Sequence, residues 1–147
     1  MAIDDATRLA YVEVLADEQK ERVVGFLERA VAWFAAQGIR VARVMTDNGP
    51  GYRSAEHAAC CRRLGLRHIF TRPYRPRTNG KAERFIRTLV EGWAYGRIFR
   101  DSRERQLALP GWLAFYNRGR PHGGLDGQAP YERLLALSVN NVVGTHS

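Results

Sequence analysis

Two acidic residues stand where they could hold a divalent metal ion. Asp47 follows the segment Ile39 to Met45, which reads as a strand, and precedes Asn48-Gly49, a sharp turn signal. Glu83 lies at the start of a segment with apolar residues at Ile86, Leu89, Val90 and Trp93, spaced for one face of a helix. Glu83 is therefore expected on or beside the face that packs against a sheet. Between the two acids lie 35 residues, 48–82, which read as turn, helix, strand, basic loop and helix start. That order can bring both carboxylates to one sheet edge, where open α/β sheets bind their ligands. Paired hard oxygen donors suit Mg²⁺, and two such ions can activate a nucleophile and stabilise a leaving oxygen in phosphoryl transfer. Taken singly, each acid has an ordinary explanation. An Asp after a strand is commonly a turn residue, and a Glu in a first helical turn answers the helix dipole.

A basic cluster lies beside Glu83. Arg72, Arg75, Arg77 and Lys81 line a Pro-rich loop, and Arg84 and Arg87 continue onto the helix. Clustered guanidinium groups of this kind position a nucleic-acid phosphate backbone; a solvated basic loop is the plainer alternative. The 147 residues hold 23 Lys and Arg against 15 Asp and Glu, for a net charge of +8. Lys occurs only at Lys20 and Lys81, so Arg, which grips phosphate with two prongs, dominates. DNA is the expected partner, although a merely soluble, Arg-rich protein has the same composition.

The elements that must carry these residues alternate. Asp4-Asp5-Ala6-Thr7 is a turn, and Leu9 to Leu15 reads as a strand. Asp17 can cap a helix with Glu18 in its first turn, and Val23, Leu27, Ala30, Val31 and Phe34 give that helix its apolar face before Gly38 stops it. Ile39 to Met45 is the next strand, Ser54 to Gly65 a short helix, and Leu66 to Thr71 a third strand. A helix follows from about Lys81 to Tyr95, and another from Ser102 to Asn117 that Pro110 should break or kink. A short helix is possible near Tyr131 to Leu137. The class is α/β. No apolar run approaches the ~20 residues of a membrane span. Cys60 and Cys61 are neighbours on a helix and suggest neither a disulfide nor a zinc site. His57, His68 and His122 lack metal-ligand spacing and read as structural or solvent-facing.

Thr46-Asp47-Asn48-Gly49 followed by Tyr52, then Asn79-Gly80-Lys81-Ala82-Glu83-Arg84-Phe85, resembles the second and third acidic motifs of insertion-sequence transposases in the retroviral-integrase superfamily. Tyr116-Asn117-Arg118-Gly119-Arg120-Pro121-His122 with Leu125 resembles the segment that closes the core in these proteins. The resemblance covers Ile3 to Leu134, and implies a ribonuclease-H-like integrase core over 1–134 with a tail at 135–147. It implies an Asp-Asp-Glu triad binding Mg²⁺ or Mn²⁺, with Asp47 as second acid and Glu83 as third. It also implies attack of a hydroxyl on a DNA phosphodiester. The first acid would precede Met1, because Asp4 and Asp5 fall in the family's turn between its second and third strands. The chain is thus expected to lack the first strand and most of the second, to be inactive alone, and to be a poorly stable monomer that self-associates or pairs with an intact transposase. Glu91 stands where the family often has a DNA-contacting base. A cytoplasmic, nucleoid-associated location follows from the same resemblance.

Overall fold

The computed structural model describes residues 1–17, 19–71 and 80–143, the last five by backbone alone. It forms two compact units, residues 13–80 and residues 1–12 with the chain from 81 onward.

In the 13–80 unit, α1 (Lys20–Ala36) buries Val23, Leu27, Ala30 and Phe34, the face expected from their spacing. Asp17 lies just outside the helix, where it accepts from the Gln19 N–H and pairs with Arg22; Glu18 lies outside the described residues. Two strands, β3 (Arg43–Thr46) and β4 (Arg67–Phe70), pair in parallel with Val44 opposite His68 and Thr46 opposite Phe70. A parallel pair needs a crossover, and α2 (Ala55–Leu64) supplies it. Ser54 caps α2 by accepting the His57 N–H at 3.1 Å. Gly65 ends it at φ +71°, a left-handed conformation suited to glycine. Leu27, Cys60, Cys61 and Leu66 form the core of this unit, with Val31, Val41 and Val44 packed on it.

In the other unit, β1 (Ala2–Ile3) and β2 (Ala10–Tyr11) pair antiparallel. Asp4 builds the turn between them, its Oδ2 accepting from the Thr7 N–H at 3.0 Å and the Thr7 hydroxyl at 2.6 Å. The strand expected over Leu9 to Leu15 is therefore only two residues long: β1 offers just two partners, and among the described residues no further strand pairs with this one. The outer edge of β2 is closed by a side chain instead. The Ala10 N–H donates to Asn117 Oδ1 at 2.9 Å, and Asn117 Nδ2 donates to the Ala10 carbonyl at 3.0 Å.

Three helices complete this unit: α3 (Gly80–Leu89), α4 (Ser102–Arg118) and α5 (Pro130–Val143). Phe85 is the buried residue of α3, packed with Ala10 and Tyr116 and flanked by Ile3, Leu89 and Trp112. This corrects the apolar face expected from sequence. Ile86 is 45% exposed and Val90 37% exposed, so the packed face runs through Phe85 and Leu89. After α3 the chain widens into a π-helical turn, Val90–Ala94. Gly92 permits it, since a Cβ there would come within 2.7 Å of Trp112 Nε1. Pro110 does not end α4. The helix continues through it to Arg118, and the Trp93 indole N–H donates to the Arg105 carbonyl at 2.8 Å, one residue before the Gln106 carbonyl that Pro110 leaves without its helical donor. Among the described residues no helix is long and apolar enough to cross a membrane.

Candidate functional site

Asp47 sits immediately past the C-terminal end of β3, as expected, and is exposed. Its neighbours hold it there. The Thr46 hydroxyl donates to the Asp47 carbonyl at 2.9 Å, and the Asn48 side chain donates to the Thr71 carbonyl at 3.0 Å, fastening the turn to the chain leaving β4. The Gly49 N–H donates to Asp47 Oδ1 at 2.8 Å, so the carboxylate has a fixed direction. A Cβ at Gly49 would stand 3.0 Å from that oxygen, which explains the glycine.

Glu83 lies in the first turn of α3 and is exposed. The expectation that it borders the packed face needs correction. Helical spacing groups it with Ile86, Arg87 and Val90, all exposed, and not with Phe85. Asp47 belongs to the 13–80 unit and Glu83 to the other.

Of the expected DNA-binding residues, Arg72, Arg75 and Arg77 lie outside the described residues. Arg87 is exposed in the last turn of α3. Lys81 pairs with Asp5 at 2.6 Å. Lys81 and Arg84 also line a cleft of ≈ 320 Å³, together with Arg8, Arg120, Tyr116 and His122. The reading of the sequence missed Arg8 and Arg120 as parts of a basic site. Arg120 stands in the closing segment quoted above, but nothing local connects it to Arg8, whose left-handed φ of +63° arises in the β1–β2 turn.

Electrostatics set the protonation of this cleft. Burial raises the Tyr116 phenol to about 12, against the opposing pull of Arg120 and Arg8, so it stays a neutral hydrogen-bonding group. Burial lowers His122, and the positive charges of Arg120 and Arg8 add to the effect. His57 is lowered by burial and by His68 beside it, and His68 by burial; burial raises the thiols of Cys60 and Cys61. Folding thus favours neutral His122. Its stabilising contribution is whole above about pH 6.5, the ordinary histidine value, and declines as pH falls toward its lower folded value. Melting temperature is expected to fall between pH 7 and pH 5.5, and His122→Gln to flatten part of that slope. A melting temperature that rises over this range would contradict the assignment.

Two family models described as "Integrase core domain" match the chain, one over residues 1–76 and one over 64–130. An uncharacterized protein of Caenorhabditis elegans is 31% identical over 132 residues, covering 90% of this chain and 10% of the relative. An uncharacterized protein of insertion element IS136 from Agrobacterium fabrum is 27% identical over 95 residues, covering 65% of this chain and 49% of the relative. The chain thus spans half or less of the length of these curated relatives. Among solved structures, the catalytic core domain of BIV integrase superposes with a TM-score of 0.70 at 23% identity, covering 95% of this chain and 86% of that one. A chain of a simian T-cell lymphotropic virus intasome superposes with a TM-score of 0.72 at 22% identity, covering 88% and 45%. The fold is that of the ribonuclease-H-like integrase core.

Proposed function

The chain belongs to the integrase core domain family, and from that premise we propose that it serves DNA integration or transposition by contributing the second and third carboxylates of a metal-dependent phosphodiester transfer. The observation that carries this reading is the turn at the end of β3, which holds an exposed, directed Asp47 carboxylate where an α/β sheet presents its chemistry. Glu83, exposed at the head of α3, is the partner acid. Both are hard oxygen donors and suit Mg²⁺ or Mn²⁺. When bound, such ions activate an attacking hydroxyl and stabilise the leaving oxygen. The rest of the work is positioning. Lys81, Arg84 and Arg87, with Arg72, Arg75 and Arg77 earlier in the chain, hold the DNA backbone. Residues 1–134 form the core segment and 135–147 its tail, and the setting is the nucleoid of a bacterial cytoplasm.

Asp4 and Asp5 do not supply the first acid. Asp4 commits Oδ2 to the Thr7 N–H and hydroxyl in the β1–β2 turn, and Asp5, in the same turn, pairs with Lys81. With two acids of three, these 147 residues alone are expected to show no Mg²⁺-dependent nicking of supercoiled DNA. Nicking that disappears in Asp47→Ala would overturn that expectation.

A second reading, DNA binding without chemistry, has its own support in the +8 charge and the Arg8–Lys81–Arg84–Arg120 cleft. Among the described residues β3 pairs only with β4, which leaves an edge for self-association or for pairing with an intact transposase.

A further inference from the structure

A second donor set, of different chemistry, lies wholly within the 13–80 unit. His57 and Cys61 are four residues apart on α2 and so share one of its faces. His68 on β4 meets that face: one ligand atom from each of the three residues lies within 4.8 Å of the other two. His57 Nδ1 and Cys61 Sγ are 3.8 Å apart. A tetrahedral ion with bonds of about 2.05 Å to nitrogen and about 2.3 Å to sulfur requires a separation of ~3.6 Å. His57 and Cys61 are buried and His68 is partly so.

Thr46 fixes the remaining ligand. Its hydroxyl lies 2.9 Å from the Asp47 carbonyl and 2.7 Å from His68 Nε2. With its single hydrogen directed to the carbonyl it accepts from His68 Nε2. In that tautomer the Nδ1 lone pair is left for a metal. Metal-bound imidazoles are oriented by such outer hydrogen bonds.

We propose that His57, Cys61 and His68 bind a zinc-class divalent ion, at a site separate from the carboxylates assigned to Mg²⁺. A thiolate with two imidazoles selects a borderline-soft ion such as Zn²⁺ or Co²⁺ over Mg²⁺. On binding, the Cys61 S–H bond breaks, its proton leaves to solvent, and the sulfur–metal bond forms. The imidazoles coordinate through lone pairs and release no proton. Three protein ligands leave one tetrahedral position for water. The ion ties α2 to β4 and, through His68 and Thr46, braces the turn that carries Asp47. Without an ion, the same side chains are a packed ladder of rings, with Tyr52–His57, His57–His68 and His68–Phe70 centroids 5.5, 4.6 and 4.2 Å apart.

Cobalt distinguishes the two. The 147-residue chain, stripped with chelator, is titrated with Co²⁺ and followed by absorption. The expected result is one equivalent bound, a sulfur-to-cobalt charge-transfer band, the intense visible bands of tetrahedral Co²⁺, and displacement by one equivalent of Zn²⁺. Zn²⁺ raises the melting temperature and Mg²⁺ does not. Cys61→Ser removes the charge-transfer band; His57→Gln weakens binding independently of the sulfur; Cys60→Ser and Asp47→Asn leave the spectrum unchanged. Thr46→Val weakens Co²⁺ binding by the about 10–100-fold typical of losing an outer-shell partner. A stripped wild-type chain that takes up Co²⁺ with no charge-transfer band overturns the site. So does a band that survives Cys61→Ser or is lost in Asp47→Asn.

Discussion

Asn117→Ala is expected to cost about 2–6 kcal/mol of stability, because it strands two buried backbone groups at roughly 1–3 kcal/mol each. Ala10 is fully buried and Asn117 is 4% exposed, so water cannot replace the lost amide. The Ala10 N–H and C=O point away from β1, and Asn117 takes the place of a strand on that side. Urea unfolding followed by tryptophan fluorescence reports the loss through Trp112, which flanks the same core. Asn117→Asp sets a buried carboxylate oxygen against the Ala10 carbonyl, so at neutral pH its cost is expected to equal or exceed that of alanine. Hydrogen exchange gives a local check, since the Ala10 amide loses protection in the alanine variant. A loss under about 0.5 kcal/mol, the range of an indifferent surface change, would show that the amide bridge does not hold β2.

DNA affinity is expected to fall about 10³-fold between 50 and 200 mM salt if Arg72, Arg75, Arg77, Lys81, Arg84 and Arg87 each neutralise a phosphate, since six such contacts release six condensed counterions. Fluorescence anisotropy with a labelled duplex measures the slope. Arg84→Ala should weaken binding to all sequences alike and reduce the slope by about one. Lys81 behaves differently because Asp5 holds it at 2.6 Å. Removing that competing charge in Asp5→Asn should tighten binding at low salt, where screening is weakest. Affinity independent of salt would sink the assignment of these residues to phosphate.

Integrase-core membership was legible in the chain because its cues are local. The turn Thr46-Asp47-Asn48-Gly49, the Asn79-to-Phe85 run and the Tyr116-to-His122 segment each keep their meaning within a few residues. Caps and helix faces set by short-range geometry were legible for the same reason. Ser54 caps α2, Gly65 ends it, and Val23, Leu27, Ala30 and Phe34 line α1. Periodicity failed on α3, where Ile86 and Val90 are as apolar as Leu89; it was the packing of Phe85 against Tyr116 and Ala10 that chose the buried face. Pro110 misled as well, since α4 runs through it to Arg118. The residues that only the tertiary structure brought together are far apart in the chain. Arg8 meets Arg120 at one cleft, Asn117 meets Ala10 at a strand edge, and His68 meets the His57–Cys61 face of α2. Sequence spacing constrains neighbours on one helix or one turn. Donors contributed by different elements converge only through packing, which no short-range pattern encodes.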